Sequence, residues 1–490
     1  MTNHADRRFV GRRRTLHIYE PTDVERLHAA TLEVLTETGV AFHSPHALDV
    51  LEEHGATVNR TTSVARLPET TVAAALDSLP RTITLAGRDP QFDLPLDGEH
   101  AYLAADGCAP FVRDSNGQVR PSNKADVSAA ARVVDALDNL SATSAIVSAL
   151  DTATQTRVLH EFDACVRSSA KHTIVVSMKD VAEAKPLLRM AEALVGGRDE
   201  LKRRPIFSVI LGTVAPLSQE RFGMDLAFTL AAAGIPIFIY PMPILGATAP
   251  ATPAGAQVVA NAEMLAAVTA IQLAHPGAPL IYAGGPAALD MQSGRYAANL
   301  PEVILVRAAQ AHMARFYGLP AGLGWGGTKA QEPGAQAGYE NAAGLLLEFL
   351  AGGELLFGAG LLDSVQQLSL EELVLADEMF AMVTRLLRGI TVTKETLAGD
   401  VIARVGHSGE YLFDPHTRVH ARELWRARLE TGGSYEQWQA AGSHEQASLA
   451  AQRVREILAA PAPAFPDDLD EELTVIIGAA HDGAFLEKDR

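Results

Sequence analysis

The sequence predicts an α/β protein: a (β/α)8 TIM barrel with an N-terminal α+β extension and a C-terminal helical extension. Three observations lead there. Eight short apolar runs recur between residues 101 and 358. Most are apolar throughout and do not alternate, as parallel strands covered on both faces should be. Segments of helical length and period separate them, with Gly or Pro at the joins. Eight strand-then-helix units suit a closed barrel better than an open sheet.

Residues 1–100 make the N-terminal extension. Thr22 can cap a helix to about Thr38, with Val24, Leu27, Leu32 and Leu35 on one face and Gly39 ending it. Ser44-Pro45 opens a second helix, with proline in its first turn. Residues 81–86 and 91–96 alternate as short strands. The barrel is assigned to 101–365. Its expected strands are 101–105, 143–147, 173–177, 206–211, 235–240, 280–283, 321–325 and 355–358. Expected helices include 126–137, 181–195, 257–273 and 301–317. The C-terminal extension, 366–490, carries no strand signal. Ser369-Leu-Glu-Glu372 is a capping box opening a helix to about Arg388. Further helices are expected at 394–404, 417–429, 436–441 and 445–458, then a proline-rich linker at 461–466 and a last helix.

The bulk numbers exclude several function classes. The chain has 490 residues, 48% hydrophobic and 20% charged, an ordinary globular composition. A net charge of −18 opposes binding to nucleic acid or to an anionic membrane surface. Only Cys108 and Cys165 are present, so there is no disulfide scaffold, and a cytoplasmic location is expected. The basic start (Arg7, Arg8, Arg12, Arg13, Arg14) lacks the apolar segment of a secretory signal. Residues 226–247 are apolar enough to span a bilayer, but Gly234, Pro236, Pro241 and Pro243 interrupt them. They read as a helix end, a buried strand and a loop.

In such a barrel the chemistry lies at the C-terminal ends of the strands. The first run ends in Asp106-Gly107-Cys108, and Lys179 lies just past the third. The fifth ends at Tyr240 and leads to Gly246; the sixth ends in Tyr282-Ala-Gly284-Gly285. The seventh ends in Trp325 and leads to Lys329, and the eighth contains Phe357. Small residues leave room above the barrel. Aromatic faces around such a space would hold an alkylammonium ion by cation–π attraction, about 0.5–2 kcal/mol each. Each aromatic can equally plug the barrel or pack beneath a helix. Glu263 can face an amine or tie a loop. Glu302 suits a helix start, Asp106 and Asp290 suit turns, and Cys108 suits inert packing. His416 and His420 are four apart with Glu423 beyond, yet no third histidine has matching spacing. No metal site is assigned.

Longer stretches carry a family resemblance. They are Ala104 to Pro110 with Asp114, Gly117 and Arg120; the run from Gly246 to Gly255 followed by Asn261-Ala-Glu263; and Asp290-Met-Gln-Ser-Gly294 with Pro301-Glu302. Gln336-Ala-Gly-Tyr-Glu340 and the tail His416-Thr417, Glu436-Gln-Trp438, Gly442 complete the set. Together they span nearly the whole chain, which resembles the trimethylamine methyltransferase family. The resemblance implies a (β/α)8 barrel and transfer of a methyl group from a methylated amine to the Co(I) of a separate corrinoid (cobalamin) protein. Some members hold trimethylamine with pyrrolysine. This sequence has only the standard twenty residues and is similar to the glycine betaine branch, which acts on quaternary amines.

On that reading Glu263 and Lys329 are the catalytic candidates. Tyr240, Tyr282, Trp325, Phe357, Gln336 and Asp106 would bind substrate. Gly246, Gly284, Gly285 and Cys108 would face the corrinoid. The expected partners are a corrinoid protein, a small methylated amine and further copies of the chain, with no tightly bound metal. The loop after the seventh run departs from the family pattern: Lys329, Gln331 and Gly334 stand where members often carry an acidic-then-lysine pair and an aspartate. Lys329, the one cation found close to Trp325, would then pair with a betaine carboxylate, since burying that group unpaired costs several kcal/mol. The alternatives are a Schiff-base lyase using Lys329 or Lys179, and a betaine-binding protein without catalysis.

Overall fold

The computed structural model describes residues 16–324, 327–430 and 433–485. Eight parallel strands close into a barrel in chain order. They are β1 (Tyr102–Ala105), β2 (Leu140–Ser144), β3 (His172–Val175), β4 (Phe207–Gly212), β5 (Ile237–Tyr240), β6 (Leu280–Gly284), β7 (Ala321–Gly324) and β8 (Leu355–Ala359). The ring closes where β8 pairs with β1, across a register irregularity. Each strand is followed by a helix: α1 (Lys124–Ala136), α2 (Arg157–Ser168), α3 (Val181–Val195), α4 (Arg221–Ala232), α5 (Pro253–Ala274), α6 (Pro301–Tyr317), α7 (Ala335–Ala351) and α8 (Leu370–Arg388). The expected barrel is therefore present. Only β2 is displaced by more than two residues. It uses small polar side chains (Ser141, Thr143, Ser144, all buried) and leaves the more apolar Ile146 and Val147 to the loop beyond.

Strand alternation divides the side chains between two cores. Tyr102, Ala104, Ala142, Ile174, Phe238, Ile281, Leu355 and Phe357 fill the barrel interior. Leu103, Leu140, Val209, Ile237, Ile239, Leu280 and Leu356 pack outward against the helices. Phe238 and Phe357 meet edge to face, 5.2 Å between centroids. A Cβ on Gly322 would stand 3.0 Å from the Phe238 ring and 3.2 Å from the Phe357 ring, so two large rings need a glycine opposite.

The N-terminal extension closes the lower end of the barrel. Its antiparallel pair, Ile83–Leu85 with Leu94–Leu96, adds Ile83, Leu85, Leu94 and Leu96 to the interior core. The helices Pro21–Glu33, Pro45–Glu53 and Glu69–Asp77 lie on α5. The first starts at Pro21 and has no side-chain cap, in place of the expected Thr22 cap. Ser44 caps the second by accepting from the Ala47 amide. Helix α5 is the one described helix apolar and long enough to cross a membrane, and 78% of its apolar window is buried within the molecule. Residues 226–247 resolve into the end of α4, then β5 and a loop.

Helix α8 moves the expected boundary at 365. It packs against α7 and α1, with Phe380 5.1 Å from Phe349 and the Asp377 carboxylate accepting from the Asn139 amide at 2.7 Å. It is thus the eighth barrel helix, and the extension begins after Arg388. There the short helices Lys394–Leu397, Gly399–Val405, Pro415–His420 and Tyr435–Ala440 contribute no buried residue. The expected 394–404 helix is split at Ala398, whose φ is +51°. Helix Gln446–Ala459 returns to pack on α8 and α1, and Asp467–His481 packs on α3 and α2.

Candidate active site

The alternation that aims Tyr102 and Ala104 into the barrel aims Asp106 into its C-terminal mouth. Neighbouring inward positions are Ser144, Val176, Ile210, Tyr240 and Ala283, so the floor is mostly small or apolar. Asp106 accepts one hydrogen bond, from the Gly107 amide at 2.8 Å. Ser144 Oγ donates to its backbone carbonyl. Burial pushes the Asp106 carboxyl up to about 6, against the pull of that amide. Among the described residues no cationic side chain pairs with it. A buried carboxylate left this way is costly unless a cation is supplied.

Tyr240 lies across the mouth. Its ring and hydroxyl occupy the space where side chains on Gly285 and Gly324 would stand: a Cβ on Gly285 would come 2.7 Å from the ring. Glycine at both positions is what lets the tyrosine lie flat over two strand ends. Burial raises the Tyr240 hydroxyl well above its usual value, and Asp106 adds to this, so it stays protonated. No described residue hydrogen-bonds it.

Part of the mouth is roofed by a small sheet from the loops after β5 and β6: Ile244–Leu245, Ala287–Leu289 and Tyr296–Ala297. This roof brings in Tyr296, which the sequence reading missed. Burial raises its hydroxyl; Arg307 lowers it and Asp106 raises it, so it stands within electrostatic reach of both. Arg307 and Glu348 form a buried ion pair, 3.0 Å apart and 1% and 0% exposed. The signal available in the sequence was an arginine on the apolar face of α6, in register with Val303, Gln310 and Ala314.

The structure separates the expected site residues. Asp106 and Tyr240 come together. Phe357 lies one layer below Tyr240, fully buried, 6.3 Å between centroids, and forms the floor instead of a cage wall. Trp325 lies outside the described residues. Tyr282 faces the opposite way. Its hydroxyl donates to Asn261 Oδ1 at 3.0 Å, accepts from Gln257 Nε2 at 3.3 Å, and its ring stacks on Tyr317 in the helix layer. Strand parity decides this: Ile281 and Ala283 point in, so Tyr282 points out.

Glu263 is buried on α5. It accepts from Thr213 Oγ1 and from the Leu217 amide at 2.9 Å, so it ties down the loop after β4. Gln336 is exposed and donates to Glu340. Glu340 also accepts from Thr328 Oγ1 and, at 2.9 Å, from the Lys329 amide. Lys329 itself is half-buried on the rim, and its charge lowers the Asp290 carboxyl.

The four residues expected to face a cofactor do not form a cradle. Gly284 points at the buried Gln310 side chain, and Gly285 is filled by Tyr240. Gly246 is exposed at a left-handed turn, φ +84°. Cys108 also takes a left-handed φ, +77°, and burial pushes its thiol up to about 12, which favours the protonated form. In the extension His420 pairs with Glu423 at 2.9 Å, and among the described residues no group of three or more His, Cys, Asp or Glu is placed to hold a metal.

Comparison with known proteins agrees with this architecture. The family profile described as trimethylamine methyltransferase matches residues 2–481. The trimethylamine methyltransferase of Desulfitobacterium hafniense (strain DSM 10664 / DCB-2) is 32% identical over 87% of this chain and 86% of its own. The glycine betaine methyltransferase of Desulfitobacterium hafniense (strain Y51) is 29% identical over 94% and 96%. The crystal structure of the Methanosarcina barkeri monomethylamine methyltransferase shares the fold at 13% identity, with a TM-score of 0.50 over 94% of this chain and 86% of that one. The chain therefore belongs to the trimethylamine methyltransferase family and is, as such, a methyltransferase.

Proposed function

We propose that the chain moves a methyl group from a quaternary or tertiary methylated amine to the Co(I) of a corrinoid protein, with the amine held over Asp106. One observation carries the reading: the half-buried Asp106 carboxyl at the mouth has no cationic partner among the described residues and lies within electrostatic reach of Tyr240 and Tyr296. A carboxylate next to aromatic faces is a site for an alkylammonium ion. The names of the relatives, trimethylamine and glycine betaine methyltransferases, support the same class of substrate.

A corrinoid held by a partner protein would supply the nucleophile, and the bond from nitrogen to the transferred methyl would break with its electron pair staying on nitrogen. What this chain contributes is placement and exclusion of water. A quaternary nitrogen leaves as a neutral amine and needs no proton. A tertiary amine must keep its N–H to leave neutral, and Asp106 is the acceptor that would hold that N–H. The floor of Phe357 and Phe238 blocks the ligand from below and leaves one open direction, outward through the mouth.

The lyase alternative finds no support. Lys179 is exposed and Lys329 stands on the rim, so neither is desolvated as a Schiff-base amine should be. The buried Lys171 donates to the carbonyls of Val134, Leu137 and Leu140 at 2.6–2.7 Å. A panel of methylated amines incubated with free cob(I)alamin tests the proposal. Methylcobalamin absorbance should appear with at least one quaternary or tertiary amine. Binding of the amine without any methylcobalamin would favour a ligand-binding role instead.

A further inference from the structure

We infer that Arg307 is a positioning residue: it fastens the roof strand carrying Tyr296 to the loop that follows β7, and so sets the spacing between the walls of the mouth. The inference rests on the amine-site reading above. Arg307 sits in the middle of α6 with its side chain fully covered. Its Nε donates to Glu348 on α7. Its Nη1 donates to the Ala298 carbonyl at 3.0 Å, two residues from Tyr296, and its Nη2 donates to Asn299 Oδ1 at 3.1 Å. Asn299 Nδ2 in turn donates to the Gly327 carbonyl, in the loop between β7 and α7. One guanidinium thus joins two mouth loops to two barrel helices.

Three points set this apart from ordinary core packing. A buried ion pair is a weak source of stability, since an apolar pair of similar volume is often as good. Two of the three guanidinium nitrogens serve a mouth loop and none serves the helix that carries it. The second Glu348 oxygen, Oε2, is buried without a hydrogen-bond partner, so the pair is not arranged for its own sake. Burial accordingly pushes the Glu348 carboxyl up to about 7, while Arg307 pulls it down. Arg307 also lowers the hydroxyls of both Tyr240 and Tyr296, which Asp106 raises. The guanidinium is therefore within electrostatic reach of both hydroxyls. A lysine could keep the charge but could not bridge these acceptors with one planar fork.

The test uses tetramethylammonium as probe, with calorimetric binding and amide hydrogen exchange on the parent, Arg307→Lys, and the double variant Arg307→Met/Glu348→Leu, which leaves no buried charge unpaired. The expected result is about tenfold weaker binding in both variants. Faster exchange should be confined to residues 296–299 and 327–330. Unchanged binding and exchange in the double variant would overturn the inference, as would exchange that quickens evenly over the whole barrel. If the double variant does not fold, Asn299→Ala removes both the bond to Gly327 and the bond from Arg307 Nη2 and should still release both loops together; release of neither, or of one alone, overturns the inference. Failure of the parent to bind tetramethylammonium would overturn the amine site itself, and the exchange pattern would still report whether Arg307 couples the two loops.

Discussion

The two ends of the barrel treat a buried polar group in opposite ways. At the lower end His172 is fully buried and both ring nitrogens are bonded, Nδ1 to the Ala86 carbonyl and Nε2 to Ser208 Oγ, each at 2.8 Å. Burial drives it down to about 4, so it is neutral and satisfied. The cavity of about 480 Å³ at that end, lined by Arg81, Asp97, Arg315 and Glu354 among others, is likewise structural. Glu354 accepts from the Gly98 amide at 2.7 Å and the Ala321 amide at 3.3 Å. At the upper end half-buried Asp106 has one amide and, among the described residues, no counter-charge. A polar group that the protein satisfies is holding the fold together; a charge left short at an open mouth is a place for a ligand.

The comparison breaks most sharply at Asp106. Asp106→Asn should weaken tetramethylammonium binding by at least about a hundredfold, because the carboxylate proposed to face the cation is lost. The same change should not lower Tm, since it removes a carboxylate the fold keeps under strain of burial. Calorimetry and thermal unfolding check both; a large fall in Tm with binding intact would make Asp106 structural.

The next effect is in pH. The folded Asp106 carboxyl, at about 6, lies above its ordinary value of about 3.9. The empty folded state therefore holds that proton more tightly than the unfolded chain. The stability from this group is present in acid and is lost as pH rises through about 6. A bound cation needs the ionised form. Its affinity should fall about tenfold per unit below pH 6, and its stabilising shift in Tm should be larger at pH 8 than at pH 5. A flat affinity from pH 5 to pH 8 would place the cation elsewhere.

His172→Ala is the matching change at the lower end. It should cost about 1–3 kcal/mol of stability by stranding Ser208 and Ala86, with alkylammonium affinity unchanged. Tyr282→Phe should cost about 1 kcal/mol, through Asn261 and Gln257, and leave substrate affinity alone; a loss of affinity would return Tyr282 to the mouth. The smallest effect is expected at Lys329. Lys329→Met should change binding of an uncharged-tail quaternary amine by less than about threefold, because a half-exposed rim cation acts weakly through solvent. A much larger loss confined to a carboxylated amine would show the rim lysine reaching the substrate, through a loop that closes on binding.

Much of this was legible before any coordinates. Eight apolar runs with helical intervals become a closed barrel because a parallel strand buried on both faces is mostly apolar throughout, and its short length between helical intervals sets it apart from a buried helix. The misreading at β2 follows from the same rule, as Ser141, Thr143 and Ser144 hide a strand whose polar side chains are small enough to be buried, with Ser144 Oγ donating to the Asp106 carbonyl. Placing α8 outside the barrel had a different cause. A helix after the last strand reads the same whether it closes the ring or starts an extension, and only its packing on α7 and α1 distinguishes the two.

The site was legible only in part. Asp106 and Tyr240 could be named because the ends of barrel strands are where a cavity opens. Tyr240 and Tyr282 carry the same sequence signal, an aromatic near a strand end before small residues, yet one lies over the mouth and the other stacks on Tyr317 beneath a helix. One residue of strand register separates them. Glu263 and Gln336 sit in the stretches of family resemblance but serve loops, and the residues that hold the mouth, Tyr296, Asn299, Arg307 and Glu348, come from a roof strand, the segment that follows it and two helices. The chain alone determined the barrel, its order and the face where chemistry belongs, because these depend on local periodicity and burial. Which side chains meet there was decided only by tertiary structure, because contact between groups as far apart in sequence as Asp106, Tyr240, Tyr296 and Glu348 depends on strand register and loop closure, which no local pattern encodes.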